Sequence, residues 1–223
     1  MKKTILSLYF LATLSVWAND KKIEIVASSN ESCIKEHMTK YDQLLPLEVI
    51  QKYYNVPANA KKNYISGLMS KKYDTDTYVY RWSSAQSGQA KSEIGLTWVG
   101  NDRFMMPRKA TPKENFLFFY RNVSEAEKNQ NLDKAGEKMK QKGYDAKSTQ
   151  EAVSTGKTLS TGDKEYEVIE GVGEAAVWYL KMECLIVLVG KTSFQVKVNI
   201  SKSDQENIAL AQKLALEVLN KCK

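Results

Sequence analysis

Few side chains in this sequence have the type and spacing to carry chemistry. His37 is the only histidine. It stands in a polar stretch near the N-terminus, and no serine or cysteine beside it has a nucleophile's setting, which argues against a Ser/His/Asp or Cys/His hydrolase. One histidine and three dispersed cysteines, Cys33, Cys184 and Cys222, do not make the usual zinc spacings, so no metal site is expected. Carboxylates are plentiful, and chemistry by a pair of them stays open, although no spacing singles out a pair. Gly171-Val-Gly173-Glu-Ala-Ala176 has the glycine spacing of a dinucleotide fingerprint. That motif needs a helix whose N-terminus faces the pyrophosphate. Here the glycines lead into Ala-Val-Trp-Tyr-Leu, which reads as a strand, so a turn is expected and no cofactor.

Binding chemistry has more to work with. Trp82, Trp98 and Trp178 fall on expected strands, together with Tyr78, Tyr80 and Phe104. These rings could line an apolar pocket or a sugar-stacking face, with Trp82, Trp98 and Tyr80 as the foremost candidates, or they could pack the core. Arg108-Lys109 with Lys113, and the pairs Lys61-Lys62 and Lys71-Lys72, read as solvated basic loops. Three acceptor patterns for N-glycosylation begin at Asn30, Asn122 and Asn199. They are expected to be incidental, because the start of the chain looks bacterial.

The elements that must position these residues are legible in outline. Leu185 to Gly190 and Phe194 to Ile200 meet at Gly190-Lys191, and the second arm alternates apolar and polar residues, so an antiparallel hairpin is expected at the centre of a sheet. Thr75–Trp82 is dense in β-branched and aromatic residues. Ile94–Val99 and Arg103–Met106 read as a second hairpin around Gly100-Asn-Asp102, and Phe116–Tyr120 as a short buried strand. Glu165–Ile169 resumes strand patterning. Helices are expected after Pro46 as far as Tyr54, over the charged segment that Ser124 opens and Gly143 closes, and from a capping box at Ser203/Glu206 to the C-terminus. Asn30–Tyr41 could be helical, Ile23–Val26 could form a short strand, and Asp145–Gly162 is linker-like. The class is therefore α+β, an antiparallel sheet flanked by helices, with the C-terminal amphipathic helix packed on the sheet.

The chain opens Met-Lys-Lys, runs apolar from Ile5 to Val16 and reaches Val16-Trp17-Ala18, the pattern of a secretory signal peptide cleaved after Ala18. The run falls short of the roughly 20 residues that spanning needs, and no later stretch is apolar enough, so no transmembrane span is expected. Residues 19–223 then form one α+β domain, with two structural halves meeting near 145–162 as an option. Of the +7 net charge, Lys2 and Lys3 belong to the leader, and the remainder allows weak contact with an anionic surface. Export argues against nucleic acid as a partner. An oxidising compartment would let Cys33 pair with Cys222 and tie down both ends, although sequence does not fix connectivity.

Taken in order, the Leu45–Ile50 helix, Tyr80-Arg81-Trp82, Gly171–Trp178, the Leu185–Gly190 run and Ala209–Ala215 resemble extracytoplasmic bacterial domains of the PsbP-like kind. The resemblance implies an antiparallel sheet flanked by helices and a non-enzymatic binding or accessory role. Unlike lipid-anchored members, this chain has no cysteine at the cleavage point. The expectation is an exported bacterial protein, periplasmic or extracellular, that binds an unknown small ligand or an envelope protein. An enzyme using carboxylates or Tyr/Lys, and an envelope structural protein touching anionic surfaces, are the alternatives.

Overall fold

A computed structural model describes residues 30–65, 76–83, 91–105, 110–159 and 164–223. The expected signal peptide over 1–18, the stretch 23–26 and the basic residues Lys71, Lys72, Arg108 and Lys109 lie outside them. Helical residues 30–36 (α1) are followed by α2 (Tyr41–Leu44), α3 (Leu47–Gln51), β1 (Lys61–Ile65), β2 (Thr77–Trp82), β3 (Ser92–Asn101) and α4 (Pro112–Phe119). Next come α5 (Glu125–Gln141), α6 (Ala146–Leu159), β4 (Tyr166–Ile169), β5 (Ala175–Tyr179), β6 (Cys184–Val189), β7 (Thr192–Asn199) and α7 (Asp204–Lys221). The strands form one seven-stranded sheet in the order β1-β2-β3-β7-β6-β5-β4. The chain divides into two compact units, Tyr120–Tyr166 and the remainder.

In the sheet unit the expected central hairpin is present. β6 and β7 pair antiparallel from Cys184↔Lys197 to Val189↔Thr192, leaving Gly190-Lys191 as the two-residue turn. Because side chains alternate along a strand, Tyr78, Tyr80 and Trp82 of β2, Ile94 and Leu96 of β3, Phe194, Val196 and Val198 of β7 and Leu185 and Val187 of β6 share one face and one core cluster. α7 closes over β6 and β7. Its Ser203 hydroxyl accepts from the Glu206 amide, and Ala211, Leu214, Ala215 and Val218 are fully buried at three- and four-residue steps. Truncating Leu214 to Ala would cost about 2–5 kcal/mol, the range for a buried leucine, and a urea titration of the variant checks it.

Other expectations change. β3 is a single ten-residue strand that pairs with both β2 and β7, so the expected hairpin is absent among the described residues 94–105, and Met106 lies outside them. Phe116–Tyr120 lies in and just beyond α4 rather than in a strand. The reason is a reciprocal cap, in which Thr111 Oγ1 accepts from the Glu114 amide and Glu114 Oε2 accepts from the Thr111 amide at 2.8 Å, with Pro112 at the first helical position. Only Phe116 of the aromatic run is fully buried, edge-on to Phe104 at 5.3 Å, whereas Phe118 and Phe119 are exposed. Lys61–Ile65 is the outermost strand β1 rather than a loop, and its lysines suit an unpaired sheet edge. The helix after Pro46 stops at Gln51, and Tyr54 stacks on Trp82 instead, 5.7 Å between ring centres.

The linker-like stretch is in fact the helix α6, and it belongs to the second unit. Asp145 caps it, Oδ1 accepting from the Ser148 amide at 2.9 Å. α5 is capped by Ser124 and carries acids in its first turn and lysines in its last, as its dipole favours. α5 and α6 meet through glycine: a Cβ at Gly136 would stand 2.8 Å from Val153, and one at Gly156 2.8 Å from Leu132. Of the expected apolar stripe on α5, Leu132 and Met139 are half-buried while Ala126 and Ala135 are exposed. At the base of the unit Asn122 accepts from the Glu165 and Tyr166 amides and donates to the Tyr166 carbonyl at 2.7 Å.

Cys33 of α1 and Cys222, the cap residue of α7, form a disulfide across a sequence separation of 189 residues. Lys221 of α7 also donates to the Gln43 carbonyl, and Glu31 of α1 accepts from the Lys191 amide at 3.0 Å. In the chain-entropy account, a bridge closing so long a loop stabilises by up to about 5 kcal/mol. The double variant C33S/C222S is expected to lower the urea midpoint by a corresponding amount, and reductant should lower the wild-type midpoint but not that of the variant. Denatured without reductant, the wild-type chain should titrate a single thiol, Cys184.

Candidate functional site

The second face of the sheet carries a grid of polar side chains. Strand registers place Thr77, Thr97, Gln195 and Ile186 in one row, Val79, Gly95, Lys197 and Cys184 in the next, and Arg81, Glu93 and Asn199 in the third. A cavity of about 230 Å³ opens over the first two rows and part of the third. Val79 and Cys184 give it apolar wall, and Met182, from the connection between β5 and β6, and Trp98 complete it.

Trp98 reaches this face only because β3 is irregular. Between Thr97↔Gln195 and Asn101↔Ser193, the residues Trp98, Val99 and Gly100 of β3 stand opposite Phe194 alone, a bulge that re-aims side chains. Trp98 takes a left-handed conformation with φ 49 and Gly100 one with φ 85. For a non-glycine residue that costs about 1–3 kcal/mol. Simple alternation would send Trp98 into the core beside Leu96. The bulge instead puts Val99 into the core and leaves Trp98 half-buried at the cavity. Two of the amides in the irregularity have partners outside the β3–β7 ladder, Trp98 N–H donating to the Asp76 carbonyl at 3.3 Å and Val99 N–H to the Tyr41 hydroxyl at 3.1 Å. Arg103 extends its guanidinium over the Trp98 ring, 6.0 Å from the centre.

The charges of the cavity are tied to one another. Glu93 Oε1 accepts from Arg81 Nε, and its Oε2 stands 3.7 Å from Lys197 Nζ. Lys197 lies 3.7 Å from Glu183 as well and donates to the Met182 carbonyl, so it also fixes the β5–β6 connection. Its side chain is only slightly exposed, which protects these pairs from screening. Gln195 Oε1 accepts from Thr97 Oγ1 at 3.1 Å and from Cys184 Sγ at 3.6 Å. Burial pushes the Cys184 thiol up to about 12, which leaves it without nucleophilic thiolate.

The aromatic candidates from the sequence part company. Tyr80 and Trp82 are 8% and 9% exposed and belong to the core on the helix-covered face. The Tyr80 hydroxyl is 3.0 Å from that of Tyr78, whose phenol burial drives above its usual range. Trp178 is fully buried in the same core, and Phe104 packs on Phe116. Only Trp98 among these rings lines the polar cavity. Lys61 and Lys62 gather with Lys91, Arg81 and an edge of Trp82 around an open recess at the β1–β2 edge. Two glycosylation patterns have structural employment: Asn122 clamps the Glu165–Tyr166 backbone, and Asn199 is buried. Arg81, Glu93, Thr97, Gln195 and Lys197, which furnish the cavity, do not stand out in the sequence; odd-numbered polar positions along β2, β3 and β7 are the available signal. Gly171 and Gly173 lie in the turn that leads into β5, with no helix following.

Comparison with protein-family models, curated proteins and solved structures finds no match for this chain.

The bulge depends on Tyr41, so Tyr41→Phe should strand the buried Val99 N–H and destabilise the protein by about 1–3 kcal/mol. Tyr54→Phe, which removes a hydroxyl from a ring held by stacking, should change the denaturation midpoint far less. Equal effects of the two substitutions in urea titrations would contradict this assignment.

Proposed function

We propose that this is an exported binding module that takes a small ligand into the cavity on the second sheet face. The observation that carries the reading is a concave site lined by buried and half-buried polar side chains together with one half-buried aromatic ring, the usual composition of a ligand site. Glu93 is held between a guanidinium and an ammonium, an arrangement that suits a fixed hydrogen-bonding wall better than a proton-transfer group, so the role is binding rather than catalysis. The apolar leader-like N-terminus and the Cys33–Cys222 bridge support export to an oxidising compartment. Among the described residues no helix is long and apolar enough to cross a membrane. The accessory or binding role implied by the PsbP-like resemblance is part of the same proposal.

A thermal-shift screen against envelope glycans, metabolites, lipid headgroups and metal ions tests it. A ligand at 100 times its Kd adds about 2.7 kcal/mol to the stability of the folded state, so at least one class should raise Tm with concentration. Trp98→Ala should abolish that rise. A panel without any shift, or a shift that Trp98→Ala leaves intact, would overturn the cavity as the binding site.

A further inference from the structure

With the cavity as the binding site, a reading on which the ligand class depends, the hydrogen-bonding groups left over inside it select what it can hold. Gln195 is 6% exposed and uses only its oxygen, on Thr97 and Cys184. Its amide N–H₂ lines the cavity and donates to no group among the described residues. Thr77 Oγ1 is buried and has no hydrogen-bond partner among the described residues either. Arg81 uses Nε on Glu93 and keeps its two terminal nitrogens. A buried hydroxyl without a partner is unfavourable, and Gln195, Thr77 and Arg81 line the same cavity as Trp98.

Charge then selects among ligands that could satisfy them. The lining carries Arg81 and Lys197 against Asp76 and Glu93, a balanced set, and Glu93 is paired with both Arg81 and Lys197, the latter also with Glu183. A ligand bearing net charge would find no spare counter-ion in this set and would lose part of its hydration uncompensated. An uncharged ligand loses nothing of that kind. Hydroxyl groups both donate and accept, so a ring bearing several of them can take protons from Gln195, Thr77 and Arg81 while donating to the remaining lone pairs of Glu93. The C–H face of such a ring also suits the electron-rich face of Trp98. The volume of about 230 Å³ lies below the roughly 300 Å³ at which sites for drug-sized ligands begin. We infer that the cavity binds a neutral polyhydroxylated ring of monosaccharide size.

The test is calorimetric titration of the full protein with matched sets of one ring: neutral hexoses and N-acetylhexosamines, the corresponding uronic acids and the corresponding amino sugars. Neutral rings should bind, with uronic acids and amino sugars at least tenfold weaker. Gln195→Leu should weaken the neutral ring at least tenfold, and Thr77→Val, nearly the same in shape, several-fold. If Gln195→Leu does not fold, Thr77→Val decides alone. Tighter binding of the charged rings, or neutral binding indifferent to both substitutions, would overturn the ligand class while leaving a Trp98-dependent site standing. Absence of binding by any of the three sets, with a Trp98-dependent shift by some other compound, would overturn the ligand class only; absence of any Trp98-dependent ligand would overturn the site itself.

Discussion

β3 holds more residues than its neighbour can pair, and much of the sheet unit follows from how that surplus is absorbed. Trp98, Val99 and Gly100 occupy the span that Phe194 fills on β7. A left-handed tryptophan is unfavourable in isolation, so it persists only where surrounding structure over-determines it. Three contacts do so here. The Tyr41 hydroxyl receives the Val99 amide, the Asp76 carbonyl receives the Trp98 amide, and Ser193 Oγ reaches the Asn101 carbonyl at 2.9 Å to resume the ladder. Tyr41 is itself held by its own amide donating to Tyr64 Oη, which donates on to the Thr39 carbonyl. A short helix before the sheet and an edge strand thus fix the conformation of a residue on the sheet's far face.

The same irregularity explains why the two faces differ. One face carries the apolar core of β2, β3, β7 and β6, interrupted only at strand ends by the buried Ser92 and Thr192, and is covered by α7. On the other, Val177, Ile186 and Leu188 are buried, and α4 packs against β5, yet toward β2 and β3 the grid turns polar. Polar side chains are tolerated there because they are paired along and across rows: Arg81 with Glu93 in one row, Thr97 with Gln195 in another, Lys197 diagonally to Glu93. Gly95 leaves its position in the middle row without a side chain. Its backbone is so close to β2 that a Cβ would stand 2.1 Å from the Tyr78 carbonyl oxygen.

How much of this can be read from the sequence depends on whether local and tertiary signals agree. For the β6–β7 hairpin, β2, α5 and α7 they do: alternation, caps and turn residues point the same way. At α4 they compete. The Thr111/Glu114 box is present in the sequence, but the run Phe116–Tyr120 looks like a strand, and the helix wins because capping and Pro112 act on the backbone while only Phe116 needs a core. α6 has a thin apolar stripe because its contact with α5 sets a glycine against a single apolar side chain on each side, Gly136 against Val153 and Gly156 against Leu132, so its composition resembles a linker. β1 has the lysines of an edge and no alternation to betray a strand. At the cavity, Trp98 stands out by residue type, but its separation from Tyr80 and Trp82 is illegible: all three share strand parity, and only the bulge reverses one of them.

That reversal bears on what kind of site this is. A group that shuttles protons must exchange them with little electrostatic resistance, and a catalytic carboxylate is usually tuned toward the working pH by burial without a counter-ion. Glu93 has different surroundings, a guanidinium on one oxygen and an ammonium near the other. Lys197 in turn is shared by two carboxylates and a backbone carbonyl. Charges so committed hold one another in place, while the Gln195 amide N–H₂ and the Thr77 hydroxyl have no partner among the described residues. The same pairs therefore hold the cavity in shape.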